Sequence, residues 1–307
     1  VELLTKTNID FIGKRYFFFG VTGILILMGI VSLIVRGGPN YGIDFTGGLL
    51  LQVGFNRPMD MVGFRSTLDA AGITGCELQS SGDSVIVRIK QKDLNADAFA
   101  SKVMQAMNQK YSDLKPIVER KEFVGPAVGK HLRQQALLAI TFSLLGIIVY
   151  VAFRFNSGVW GVAGVFALFH DVFIVFGLFS VFNKEVTLTV ITALLTLAGY
   201  SMNDTIVVYD RIRDNLKLYN KKTLYEILND SINQTLSRTV ITSVTVFIVV
   251  LGLFLFGGEV IHDFSFALLM GVVVGTYSSI YVASPMIYEW EEYKKRRAAK
   301  FMPVRKR

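Results

Sequence analysis

The sequence predicts a membrane-embedded, all-α bundle of six helices carrying one extracytoplasmic α+β domain of ferredoxin-like type. Three observations predict it. Six windows of about 20 largely apolar residues are present, the length needed to cross the hydrocarbon of a bilayer. The gap between the first and second windows, residues 36–130, has the patterning of a soluble domain. Lys and Arg flank the windows asymmetrically, as topology signals do. Composition agrees: 52% of the 307 residues are hydrophobic and only 18% are charged, with a mean hydropathy of +0.46, which excludes a domain with water on every side.

Residues 1–15 are expected to be a cytoplasmic N-terminus, with Lys14 and Arg15 ahead of the first span at 16–35. That span is long enough to cross and lacks a small-residue cleavage site, so it reads as an uncleaved anchor. Just beyond it, Tyr41-Gly-Ile-Asp-Phe-Thr-Gly-Gly-Leu has the glycines of a tight turn before a strand, which Asp44 is placed to cap. Aliphatic and β-branched runs predict strands over 49–55, 84–89 and 119–124, with a weaker one over 75–79. A helix over 59–71 is expected to end at Gly72, and one over 96–111 to start from Asn95, with Phe99, Val103 and Met107 at helical spacing. The order is βαββαβ, that of a ferredoxin-like sandwich.

Further spans are predicted at 131–153, 159–182, 186–209, 238–256 and 264–288, with a cytoplasmic loop at 210–237 and a basic tail at 289–307. Within the loop, 226–233 reads as an interfacial amphipathic helix. Arg154, Arg211, Arg213, Lys217, Lys221, Lys222 and Lys294 to Arg297 fall on one side. The positive-inside rule then puts both termini in the cytoplasm and residues 36–130 outside. The same clustering reads the net charge of +8 as orientation, with no nucleic acid among the expected partners. Cys76 is the single cysteine, so no intrachain disulfide or cysteine-rich metal site is expected. Gly271 and Gly275 form a small-xxx-small pair that favours close helix packing.

The sharpest chemical feature is Asp204, embedded in an apolar stretch. An ionised Asp at a helix centre costs about 2.5 to 3.5 kcal/mol on insertion scales, so it is expected to face a partner or a watered path and to be a candidate for reversible protonation. Tyr200, Asn203, Asp204 and Val207 share a helical face by spacing, and Thr205 adds a nearby hydroxyl. Arg238 opens the fifth span and is a candidate counter-charge; the alternative is that it snorkels to the headgroups. His170 and Asp171 lie mid-span in the third window, as further members of a proton path or as interhelical hydrogen-bonding groups. Adjacent positions point about 100° apart, so the two need not share one site. Residues 125–129 lack the Lys-Ser/Thr of a P-loop, and neither zinc spacing nor a nucleophile elbow is present, so neither an enzyme nor a cofactor is expected.

Two long motifs in this order, Gly42-Ile-Asp-Phe-Thr-Gly-Gly48 and Gly199-Tyr-Ser-Met-Asn-Asp-Thr-Ile-Val-Val-Tyr-Asp-Arg-Ile-Arg213, together with His170-Asp171, resemble the SecF family of protein-export membrane subunits. The resemblance runs over nearly the whole chain. It singles out Gly42, Asp44, Phe45, Thr46, Gly47 and Gly48 as a family motif. It implies half of a resistance-nodulation-division (RND) transporter whose other half is SecD, in the bacterial cytoplasmic (inner) membrane. Further partners it implies are SecY, SecE and SecG, unfolded preproteins, lipid and protons. Asp204 and Arg238 match that family's proton-conducting region. Proton flow is then expected to move the outer domain and draw preproteins outward at a late stage of translocation. Two other readings remain open at this point: half of an RND-type exporter of lipids or small molecules, and a passive scaffold of the translocon.

Overall fold

The computed structural model describes residues 7–90, 95–155 and 158–301. Parts of the expected N-terminus and basic tail, residues 1–6 and 302–307, lie outside them. The chain divides into two compact units. Six helices among the described residues are long and apolar enough to cross a membrane.

The span unit contains α1 (Arg15–Val35), α6 (Gly158–Val181), most of α7 (Leu188–Leu218), α8 (Leu224–Phe256), α9 (Gly258–Ser278) and α10 (Ser284–Phe301), together with the later part of α5 (Pro126–Arg154). Its core includes Leu168, Ala198, Met202, Tyr209, Ile212, Leu228 and Ile280. α9 and α10 are one continuous rod, joined by a π-helical turn at Ser279–Ala283. Pro285 accounts for this turn: it has no N–H to give and its ring crowds the preceding carbonyls, so the helix widens. The buried Tyr209 hydroxyl donates to the Ala283 carbonyl at 3.2 Å.

Residues 210–237, expected as a loop, are mostly helix. α7 continues to Leu218 and α8 starts at Leu224, so few residues connect them. Thr223 and Glu226 form a reciprocal capping box that fixes the start of α8. The fully buried Asn215 donates to Ser231 and Gln234, both at 2.9 Å, holding the two extensions together. The stretch 226–233 is therefore the first part of α8, and it packs on protein. Its Asn229 carboxamide accepts from the backbone of Phe11 and Ile12, and Asn233 bonds Ile9 in both directions.

The second unit comprises residues 41–139 and 185–188. Its sheet, β1 (Gly48–Gly54), β2 (Glu77–Ser81), β3 (Ser84–Ile89) and β4 (Ile117–Val124), has the order β2-β3-β1-β4, antiparallel throughout. With α3 (Met61–Ala70) and α4 (Ala96–Tyr111) this is the ferredoxin-like βαββαβ arrangement. α4 starts where expected, its Asn95 side chain accepting from the amides of Asp97 and Ala98. Leu49, Leu51, Val53, Val85 and Val87 point into a core with Phe64, Leu68, Val103 and Met107. Cys76 is buried there, and burial pushes its thiol above the ordinary range.

The other face of the sheet is covered as well. Leu50 and Ile86 pack with Ile43 of α2 (Ile43–Thr46), a short helix where the sequence suggested a turn. Gly48, at φ 133°, sits where a Cβ would come within 2.2 Å of the Ile89 carbonyl oxygen, so only glycine lets β1 enter the sheet here.

Candidate functional site

Two buried carboxyl groups lie inside the spans, Asp171 just past the midpoint of α6 and Asp204 near the midpoint of α7. They are held in different ways.

Asp171 is fully enclosed. One oxygen lies 2.8 Å from His170 Nδ1; the other accepts from the hydroxyls of Ser201 on α7 and, at 2.7 Å, Ser278 on α9. His170 and Asp171 thus share one site although their Cα–Cβ directions diverge, because the imidazole folds back onto its neighbour. His170 Nε2 is 3.3 Å from the Thr22 hydroxyl of α1, which is 3.0 Å from the hydroxyl of Tyr277 on α9. Tyr277 in turn donates to the Phe18 carbonyl at 2.7 Å. The result is a continuous file of groups able to donate and accept, running from α9 through α1 and α6 to Asp171.

Asp204 faces α8. Its polar neighbour there is Ser243. Ser243 also accepts from Tyr200 at 3.2 Å and from Thr276 at 2.7 Å. The second carboxyl oxygen, Oδ2, is buried with no hydrogen-bond partner among the described residues. Ser201 and Asp204 are one turn apart on α7, so a single helix presents a hydroxyl to one acid and carries the other. Gly271 and Gly275, expected as packing glue, bring α9 against that stretch: a Cβ on Gly275 would lie 3.1 Å from the Cβ of Ser201.

Of the residues predicted from sequence, Asp204 and Tyr200 come together around Ser243, and His170 joins Asp171. Asn203 does not join them: it is exposed, on the side of α7 turned away from the buried Asp204. Arg238 is likewise exposed at its place on α8. Sequence reasoning missed Ser201, Ser243, Ser278, Thr22, Thr276 and Tyr277. Only Ser201 carried a signal, one turn before Asp204 on the same helix; the others lie on α1, α8 and α9.

The family motif adopts its own geometry. Gly42 is extended, α2 follows, and Gly47 is at φ 74°. The Thr46 hydroxyl lies 3.1 Å from the Gly42 carbonyl and 3.0 Å from that of Gly47, and the Phe45 ring meets Tyr41 edge-on. Asp44 was expected to cap its own turn. Its Oδ2 instead accepts, at 2.8 Å, from the backbone N–H of Leu188, the first residue of α7.

The fold and the buried acids define a multi-pass membrane protein with an inserted ferredoxin-like domain and ionisable groups within its spans. Residues 103–293 match the family described as "Protein export membrane protein SecD/SecF, C-terminal", and residues 31–59 match the "SecD/SecF GG Motif". A "Protein translocase subunit SecF" of Endomicrobium trichonymphae is 45% identical over 291 residues, covering 94% of each chain. The same-named subunit of Escherichia coli O157:H7 is 42% identical over 90% of this chain and 86% of its own. The crystal structure of SecDF, a translocon-associated membrane protein from Thermus thermophilus, superposes with a TM-score of 0.84 at 37% identity, over 93% of this chain. SecDF in a super-membrane-facing form gives a TM-score of 0.71 at 36% identity, over 97% of this chain. The chain spans only 39% and 41% of those two structures' chains. It belongs to the SecD/SecF family, and its architecture is the RND-like one of these structures.

Proposed function

We propose that this chain is the SecF-type subunit of a SecD–SecF complex in the cytoplasmic membrane, where reversible protonation of Asp204 drives late-stage movement of preproteins across the membrane. The observation that carries this reading is the buried Asp204 carboxyl group with an oxygen left unpartnered in an apolar span. Such a group is retained against a cost of about 2.5 to 3.5 kcal/mol, which a purely structural helix has no reason to bear. Asp171, His170, Thr22 and Tyr277 supply the accompanying file of proton-exchanging groups. A charge crossing the membrane gains about 2.3 kcal/mol per 100 mV, enough to bias a two-state element more than tenfold.

The partner follows from the same helices. Thr196, Gly199 and Asn203 are exposed at one-turn spacing along α7, and Arg238 is exposed on α8. The Thr196 hydroxyl is met by the Thr192 carbonyl and Gly199 leaves room for close approach, but lipid tails satisfy neither Asn203 nor Arg238, which favours a second set of spans against this face. The solved SecDF structures, whose chains are more than twice this length, support SecD as that second set. The similarity to translocon-associated SecDF supports contact with SecY, SecE and SecG. The basic residues beside the spans support cytoplasmic termini and an external ferredoxin-like domain in contact with the preprotein.

The test is Asp204→Asn in the complex reconstituted with SecD and the translocon. The gradient-dependent part of export is expected to disappear, with ATP-driven initiation and copurification with SecD unchanged. Undiminished gradient-dependent export would overturn the proposal.

A further inference from the structure

The connection between α6 and α7 is short, and its second half together with the first residue of α7, Glu185–Leu188, packs as part of the ferredoxin-like unit. Contacts within that unit hold it. Tyr41 and Val186 form a parallel bridge. The Gly42 N–H donates to the Val186 carbonyl at 3.0 Å. Asp44 accepts from Leu188 N–H at 2.8 Å. Arg88 Nε lies 3.0 Å from Glu185 Oε1, with side-chain exposures of 12% and 10%; the N–H is not aligned on the oxygen, so the pair is held by charge. Glycine at 42 eases this approach, since a Cβ there would stand 2.9 Å from Thr187 Cγ2 and force that side chain to shift.

Arg88 alternates with the core-facing Val87 and Ile89, so it lies on the sheet face that also carries Ile43, Leu50 and Ile86. Gly42 and Asp44 of the glycine motif therefore reach the same four residues as the sheet does. By chain connection those residues lead back to α6, with His170 and Asp171, and on into α7, with Ser201 and Asp204. Helix start sites leave backbone N–H groups free and carry partial positive charge, so a carboxylate at Leu188 is a favourable and directional hold. From Leu188 to Asp204 is one unbroken helix, about 24 Å at 1.5 Å per residue, stiff enough to carry a displacement.

We propose that Asp44 and Arg88 are positioning residues which tie the α6–α7 connection to the sheet, so that movement of the sheet and rearrangement around Asp204 are one event. The glycine motif thereby acts as a mechanical joint. This inference rests on the proton-coupled reading above.

The experiment uses the full chain in the reconstituted complex, with gradient-dependent export, hydrogen exchange at Leu188 and copurification with SecD measured on each variant. Asp44→Ala removes the acceptor and is expected to speed exchange at Leu188 about fivefold and to abolish the gradient-dependent part of export. Asp44→Asn keeps an acceptor oxygen and is expected to retain both. Arg88→Glu is expected to lose gradient-dependent export, and the swap Arg88→Glu with Glu185→Arg to regain it, which a general folding defect would not do. Normal gradient-dependent export in Asp44→Ala and Arg88→Glu, alongside its loss in Asp204→Asn, overturns the joint and leaves the proton reading standing. If Asp204→Asn is itself normal, the proton reading falls and the coupling assigned to Asp44 and Arg88 falls with it.

Discussion

Asp171 and Asp204 meet the cost of burial differently. Asp171 gathers Ser201, Ser278 and His170 about its two oxygens, whereas Asp204 keeps one oxygen unsatisfied. Removing one donor from the first should therefore register as stability: Ser278→Ala is expected to cost about 1 kcal/mol, the scale of hydrogen bonds between spans, read from thermal unfolding in detergent. Outside the spans, Asp10 anchors the segment before α1. The Tyr225 hydroxyl foremost, then the Gly13 N–H, hold its carboxyl below the ordinary value of 3.8. Its folded value is lower than its unfolded one, so its contribution is complete above about 3.8 and is lost as pH falls through the folded value. Protection at Gly13 is accordingly expected to stay constant from pH 7 to 5 and to fall only below 4, by hydrogen exchange. The two intramembrane aspartates were legible because one charge in an apolar run is conspicuous. Their hydroxyl partners were not, because a span Ser or Thr can bond its own backbone, as Thr205 does to Ser201 and Ser279 to Thr276.

Among elements, the strands and domain helices were readable to within two or three residues, because alternation and caps are local. The limits of α7 and α8 were not. Membrane thickness fixes only how much of a helix is apolar, and the Asn215 network and the Thr223 cap extend both helices beyond it. Close packing of helices was legible only as small-residue spacing. Gly29 of α1 and Gly177 of α6 meet backbone to backbone, where a Cβ on either would come within about 3 Å of the other's Cα. Gly177→Val is expected to force α1 from α6 and cost about 1 to 3 kcal/mol, seen as a lowered unfolding midpoint. Gly23→Ala on the same α1, where a Cβ meets nothing, should not lower that midpoint.

For the whole molecule, each of the two units closes its own core, one around Leu168 and Tyr209, the other around Leu51 and Met107. A fragment of residues 41–125 contains all of the second core and is expected to fold by itself into the four-stranded sheet, as a cooperative transition in circular dichroism. Without Glu185 beside Arg88 it should unfold at lower temperature than a version carrying Arg88→Leu. The βαββαβ order was readable from local patterning, but the partner of Asp44 was not, because it lies 144 residues along the chain and no periodicity reports a contact at that range. The wide turn at Ser279–Ala283 has a bearing on all of this. It places a spare residue between Ser278, which grips Asp171, and Pro285, where the rod stiffens again. Were that residue to pass to the N-terminal side of Ser278, the hydroxyl would swing by about 100° about the helix axis, away from Asp171, with no sliding of the span through the bilayer.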